Sequence, residues 1–80
     1  MGRYAIVIEK GRCSYGAYAP DVSGCIAVGK ALKEVRHLIR EALELHFEAM
    51  VEDGEAIPTP TSRVEYVDVV VPAASRPAVR

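Results

Sequence analysis

β-forming residues cluster in the first third of the chain. Residues 3–9 (RYAIVIE) and 13–19 (CSYGAYA) predict two strands joined by a short, glycine-containing hairpin turn. A third, shorter strand is predicted at 25–28 and ends at Gly29. Apolar side chains fall on both faces of the first strand, so we expect that strand to be interior to its sheet.

Residues 30–53 show the clearest periodicity in the sequence. This stretch contains no Gly or Pro and is rich in Ala, Leu, Glu, Lys and Arg, and its apolar residues recur every three or four positions. Gly54 stands where a helix commonly ends, and Pro58 prevents continuation. The pattern predicts one long amphipathic helix.

The remainder of the chain predicts one more strand. Residues 57–62 (IPTPTS) are typical of an extended connector, and 64–71 (VEYVDVVV) form the predicted fourth strand, which Pro72 ends. The fold class expected is therefore α+β: a small, mainly antiparallel sheet of three or four strands, packed by one long helix in the order β-β-β-α-β. We expect a single domain at 1–72 and a flexible tail at 73–80.

The apolar arc of the predicted helix covers about half of its circumference, whereas one sheet needs an arc of only about 100°. Either the helix is deeply sunk against a curved sheet, or part of its surface faces a second chain. Charge is also segregated, with cations in the first half and anions in the second, against the helix dipole. An antiparallel helix from a second copy could complement these charges, but a solvated face would equally tolerate them.

Size favours self-association. A core built from 80 residues rarely leaves more than about 3–5 kcal/mol of net stability, and oligomerisation is a common supplement. We therefore expect a homodimer or a higher homo-oligomer. The candidate interface comprises apolar positions of the helix and of the predicted fourth strand: Leu43, Phe47, Met50, Val67 and Val69.

Composition excludes several other classes. The formal charge of −1 argues against a general binder of nucleic acid or anionic lipid. The sequence has neither an apolar run long enough to cross a membrane nor a signal-peptide core, so a cytoplasmic location is expected. The two cysteines are expected to be reduced. No carboxylate cluster, metal-ligand spacing or phosphate loop is present, so we expect neither catalysis nor a metal or other cofactor.

The turn PDVSGC (20–25), with Pro20, Asp21, Gly24 and Cys25 as its motif residues, is similar to a turn of the HicB antitoxin family. The order and spacing of the elements over residues 3–71 and the IPTPTS connector also resemble that family. Ser23 stands where the family usually has proline. The resemblance implies a truncated ribonuclease-H-like fold without ribonuclease activity.

Members of that family bind a small, mRNA-cleaving HicA-type toxin and block its active site, so the resemblance implies an antitoxin in a type II toxin-antitoxin system. On charge segregation we assign the toxin-facing surface to Glu44, Glu48 and Glu52, with Asp21 as a weaker candidate. Many members carry a C-terminal DNA-binding domain. This chain stops at Arg80, so operator binding by it alone is not expected. The alternative is a stand-alone HicB-like homo-oligomer without a toxin, and a small hydrolase is the least favoured class.

Overall fold

The computed structural model describes residues 2–73, which form a three-stranded sheet and one helix. The strands are β1 (Val7–Lys10), β2 (Tyr15–Tyr18) and β3 (Ile26–Gly29), and the helix is α1 (Leu32–Glu52). The α+β class expected from the sequence is confirmed. Within the described part of the chain, no helix is long and apolar enough to cross a membrane.

The sheet is antiparallel throughout, in the order β1-β2-β3. Val7 pairs with Tyr18, which in turn pairs with Ile26, while Ile8 pairs with Ala17. β1 is therefore an edge strand of this protomer, although its apolar faces predicted an interior one. The difference arises because the predicted fourth strand, which could have covered β1, does not join the sheet in the described residues.

α1 covers only one part of one sheet face. It packs across β3 and β2 but makes no comparable contact with β1. The core between helix and sheet is small and wholly apolar, and no polar side chain is buried in the described residues. Its buried members are Ala17, Ala19, Val22, Cys25, Val35, Ile39 and Leu43.

Hydrogen bonds cap both ends of α1. At the start, the carboxylate of Glu34 reaches back and accepts a hydrogen bond from the amide of Lys30 at 2.6 Å. At the end, the amide of Glu55 donates to the carbonyl of Met50 and that of Gly54 to the carbonyl of Val51, the pair of bonds that defines a Schellman motif. The predicted role of Gly54 is confirmed by its φ of 73°.

The predicted fourth strand is not part of the sheet. Residues 64–71 follow the connector with no ladder partner, and every one of them is exposed. Residues 64–71 alternate as a β-strand would, but no strand of the described chain lies beside them to supply hydrogen bonds. The predicted tail at 73–80 lies, except for residue 73, outside the described residues.

Candidate protein-binding groove

A shallow, solvent-open groove runs along the C-terminal half of α1. Its apolar part is formed by Phe47 and Val51 on the helix and by Ile57 on the connector, and its acidic part by a row of glutamates on the helix. The row consists of Glu44, Glu48 and Glu52. The groove forms because the Schellman motif turns the chain back, so that Ile57 lies beside the last turns of the helix.

Glu44, Glu48 and Glu52 recur every four residues and therefore lie on one side of the helix. All three are exposed, and in the described part of the chain none forms an ion pair or a hydrogen bond. The last helical turn contains no basic residue. Carboxylates four positions apart repel one another, and Glu52 in the last turn also opposes the helix dipole, so a cationic partner would relieve an existing penalty.

The apolar side chains of the groove are only partly covered. Val51 is 63% exposed and Ile57 41% exposed, whereas Phe47 is half-buried and contacts the ring of Tyr4 at 5.1 Å between centroids. A phenylalanine that is held on one side and open on the other is a suitable anchor for a partner's apolar side chain. The groove thus combines an apolar floor with an acidic rim.

Asp21 serves the chain's own structure. Its carboxylate accepts hydrogen bonds from the amides of Thr61 and Ser62 at 2.9 and 2.8 Å, and from their hydroxyls at 3.1 and 2.7 Å. These bonds, above all those from Ser62, lower the pKa of Asp21 from 3.8 to about 2. Its oxygens are therefore already engaged within the chain.

The remaining motif residues build the turn that presents Asp21. Pro20 is exposed just before it, and Cys25 is buried in the core. The amide of Cys25 donates to the carbonyl of Val22, and Gly24 has a φ of 79° while no non-glycine residue described has a positive φ. A turn with a positive φ only at its third position is type II, with Ser23 at its second position.

The candidate oligomer residues separate into two groups. Leu43 is only 8% exposed and belongs to the core of its own chain, so it is not available to a second chain. Phe47 and Met50 are half-buried. Val67 and Val69 are 79% and 71% exposed, on the unpaired segment. Packing of α1 on the sheet buries Leu43, and helical periodicity alone does not reveal which apolar positions are buried in this way.

The described residues bring together no set of three His, Cys, Asp or Glu side chains that could hold a metal ion. Both cysteines are free: Cys13 is exposed, and burial raises the pKa of the Cys25 thiol. Sequence reasoning named the glutamate row, which lines this groove, but not Val51 and Ile57 beside it. The turn after Gly54, which brings the connector back to the helix, is not visible in the local pattern. Sequence reasoning also missed the partners of Asp21, which lie about 40 positions away.

Comparison with known proteins identifies the family. Residues 4–72 match the family model described as a HicB-like antitoxin of a bacterial toxin-antitoxin system. A UPF0150 protein of Archaeoglobus fulgidus is 41% identical over 58 residues, which cover 69% of this chain and 84% of that protein. A 14.9 kDa protein of Haemophilus phage HP1 is 37% identical over 65 residues, 81% of this chain, but the match spans only 49% of the phage protein.

A solved structure agrees with these sequence matches. A chain of the HicA3 and HicB3 toxin-antitoxin complex superposes with a TM-score of 0.65 at 30% identity, covering 75% of this chain and 70% of that one. The match of the family model to nearly all described residues, the identity to its relatives and the shared fold lead to one conclusion. The chain belongs to the HicB-like antitoxin family.

Proposed function

We propose that this chain is the antitoxin component of a toxin-antitoxin pair and neutralises a HicA-type toxin by binding it through the groove of Phe47, Val51 and Ile57. The observation that carries the proposal is the row of unpaired glutamates beside an exposed apolar floor. Family membership supports a non-enzymatic role, in which the chain acts by covering its partner.

The chemistry of the groove defines the partner surface that fits it. A protein that binds and cleaves mRNA needs basic residues on its RNA-binding face to contact the phosphates. Such a face, with one apolar side chain among its Lys or Arg residues, would match both parts of the groove. Opposite charges on the two surfaces would accelerate encounter, and the apolar contact would slow dissociation.

The test is a charge reversal with a matched control on the same helix. Glu48→Lys changes the middle of the glutamate row, whereas Glu41→Lys makes the same change two turns earlier, outside the groove and at an exposed position. Both purified variants are titrated against the HicA-type toxin from the same genome, and inhibition of its mRNA cleavage is measured. We expect Glu48→Lys to weaken binding at least tenfold and Glu41→Lys by less than threefold.

A second variant tests the apolar floor. Val51 is exposed, so Val51→Asp leaves the fold intact while placing a charge in the groove. We expect it to weaken inhibition of the toxin by tenfold or more. Unchanged inhibition by both Glu48→Lys and Val51→Asp would exclude the groove as the toxin site, and lack of binding by the unmodified chain would exclude the antitoxin role.

One observation favours a second candidate, a HicB-like homo-oligomer that acts without a toxin. The exposed apolar segment 64–71 indicates self-association whatever the partner. The two functions differ in one measurable respect: only the antitoxin forms a stoichiometric complex with the HicA-type toxin that remains intact in size-exclusion chromatography with light scattering.

A further inference from the structure

A single row of charged side chains runs along the exposed side of α1. Its five members recur every fourth residue, so they lie one above another on the surface of the helix. In order, this charged row consists of Arg36, Arg40, Glu44, Glu48 and Glu52. All five side chains are exposed, and within the described residues none forms an ion pair or a hydrogen bond. Two cations thus continue the glutamates of the groove towards the start of the helix.

The order of the charges in this row is unfavourable for an isolated helix. Three of its four neighbouring pairs join like charges, which repel each other at a spacing of four residues. The fourth pair, Arg40 and Glu44, has opposite charges in the less favourable of the two orientations, and the two side chains form no ion pair. Contacts within the described chain therefore do not account for the sorting of these charges.

The adjacent row of the helix shows that pairing at this spacing is possible. There the ring of His37 and the carboxylate of Glu41 lie 3.8 Å apart. These two side chains are also exposed, so exposure alone does not decide which charges approach each other. The charges of the charged row are left available to groups outside the chain.

A partner that binds the groove also meets the cationic part of the charged row. At 1.5 Å per residue, Arg40 lies about 12 Å and Arg36 about 18 Å along the axis from Glu48. A standard interface covers about 800 Å² of each partner, a patch about 30 Å across. Such a patch centred on Glu48 includes Arg40 and extends nearly to Arg36. A uniformly basic partner surface would be repelled at these positions.

A second copy of the chain fits the charged row less well than a different protein does. An antiparallel copy of α1 could set each arginine of the row opposite a glutamate. In that register Val51 would lie opposite Lys33, and the apolar floor of the groove would gain no apolar contact. The observations therefore favour a different protein that matches both the charges and the apolar floor.

We propose that Arg36 and Arg40 bind an acidic patch of the HicA-type toxin, beside the basic surface that the glutamates contact. The inference rests on the proposed function and deepens it, because it specifies the second half of the partner surface. Guanidinium groups suit this task, since they form bidentate hydrogen bonds with carboxylates. Docking in the reverse direction along α1 would set like charges against each other, so the two arginines determine the direction of docking.

The test is a double charge reversal with a control of equal charge. Arg36→Glu/Arg40→Glu changes only exposed side chains without ion pairs in their own chain, so the fold is expected to persist. Lys10→Glu/Arg12→Glu makes the same change of net charge at exposed positions, at the end of β1 and in the turn that follows it. Both purified variants are titrated against the HicA-type toxin from the same genome. We expect at least tenfold weaker binding by the first variant and less than threefold weaker binding by the control.

The sign of the effect separates the proposal from its alternatives. If the arginines only repelled a uniformly basic toxin, their reversal would tighten binding, and if they only faced solvent, binding would match that of the control. Either result would overturn the proposal. A change in the oligomeric state of Arg36→Glu/Arg40→Glu, measured by light scattering, would also overturn it, because the charged row would then belong to a contact between copies.

Charge exchange with the toxin locates the contact. Surface Asp and Glu residues of the toxin are changed singly to Lys, and we expect at least one change to restore binding of Arg36→Glu/Arg40→Glu by tenfold or more, without restoring that of Glu48→Lys. Absence of any such rescue would overturn the inference. Lack of toxin binding by the unmodified chain would overturn the proposed function and this inference with it, whereas weak binding by Glu48→Lys with normal binding by the arginine variant would overturn only the inference.

Discussion

The carboxylate of Asp21 accepts hydrogen bonds from both the amide and the hydroxyl of Ser62, at 2.8 and 2.7 Å, across 41 positions of sequence. Thr61 donates to it in the same way. One side chain on the turn after β2 therefore fixes the point from which segment 64–71 leaves the domain. This relationship connects the turn motif to the path of the C-terminal segment.

The Asp21 contacts predict an acid-sensitive anchor. The pKa of Asp21 is lowered to about 2 in the folded chain, so the anchor stabilises the fold fully above about pH 4 and loses this effect as the pH falls towards 2. We expect the amide resonances of Thr61 and Ser62 to titrate with a midpoint near 2. In Asp21→Asn this titration should disappear, whereas a midpoint near 3.8 would mean that the hydrogen bonds do not form.

The hydroxyl of Tyr4 makes a second anchor that can be removed without disturbing the ring. Tyr4→Phe keeps the contact with Phe47 but deletes the bond to the carbonyl of Pro58, and we expect a loss of about 1 kcal/mol in the free energy of unfolding. Denaturant unfolding measures it. Tyr18→Phe, at an exposed position, is the control and should change stability by less than about 0.5 kcal/mol.

The type II turn predicts opposite effects at adjacent positions. Proline suits the second position of such a turn, so Ser23→Pro should stabilise the protein by about 0.4–1 kcal/mol. Gly24→Ala should destabilise it by about 1 kcal/mol or more, because the φ of 79° is unfavourable for alanine. Thermal unfolding of both variants measures the difference, and equal shifts would contradict the turn assignment.

Gly29 is predicted to be intolerant of any side chain. A Cβ there would lie 3.0 Å from the amide nitrogen of Val35 and 3.2 Å from its Cα, and the first turn of α1 cannot move away easily. We expect Gly29→Ala to cost about 1–3 kcal/mol. Gly16→Ala is the control, since a Cβ at Gly16 meets nothing within 4 Å, and it should be neutral or slightly stabilising.

Local patterns predicted the elements well. The three strands and the helix follow from β-propensity, helical periodicity and the glycine at position 54, each of which acts within a few residues. These local patterns do not predict which apolar side chains are buried and which are exposed. Leu43 and Val67 are equally apolar, but only packing onto the sheet decides that the first is core and the second is exposed.

Long-range contacts account for what the sequence did not predict. Asp21 was a candidate for docking because it is an isolated acid in its region, and nothing local indicates that Thr61 and Ser62 engage it. The fourth strand was predicted from an alternating pattern, which does not specify the strand that it would pair with. Ile57 entered the groove only through the reversal of the chain after α1.

The two anchors join residues that are 54 and 40 positions apart, whereas the hairpins and the helix form from neighbours in sequence. Closing such long loops is slow, so the anchors are expected to form last during folding. The direction of the C-terminal segment is then set only when the rest of the domain is complete. Until these two contacts close, the connector is expected to leave the hairpins and the helix in varying directions.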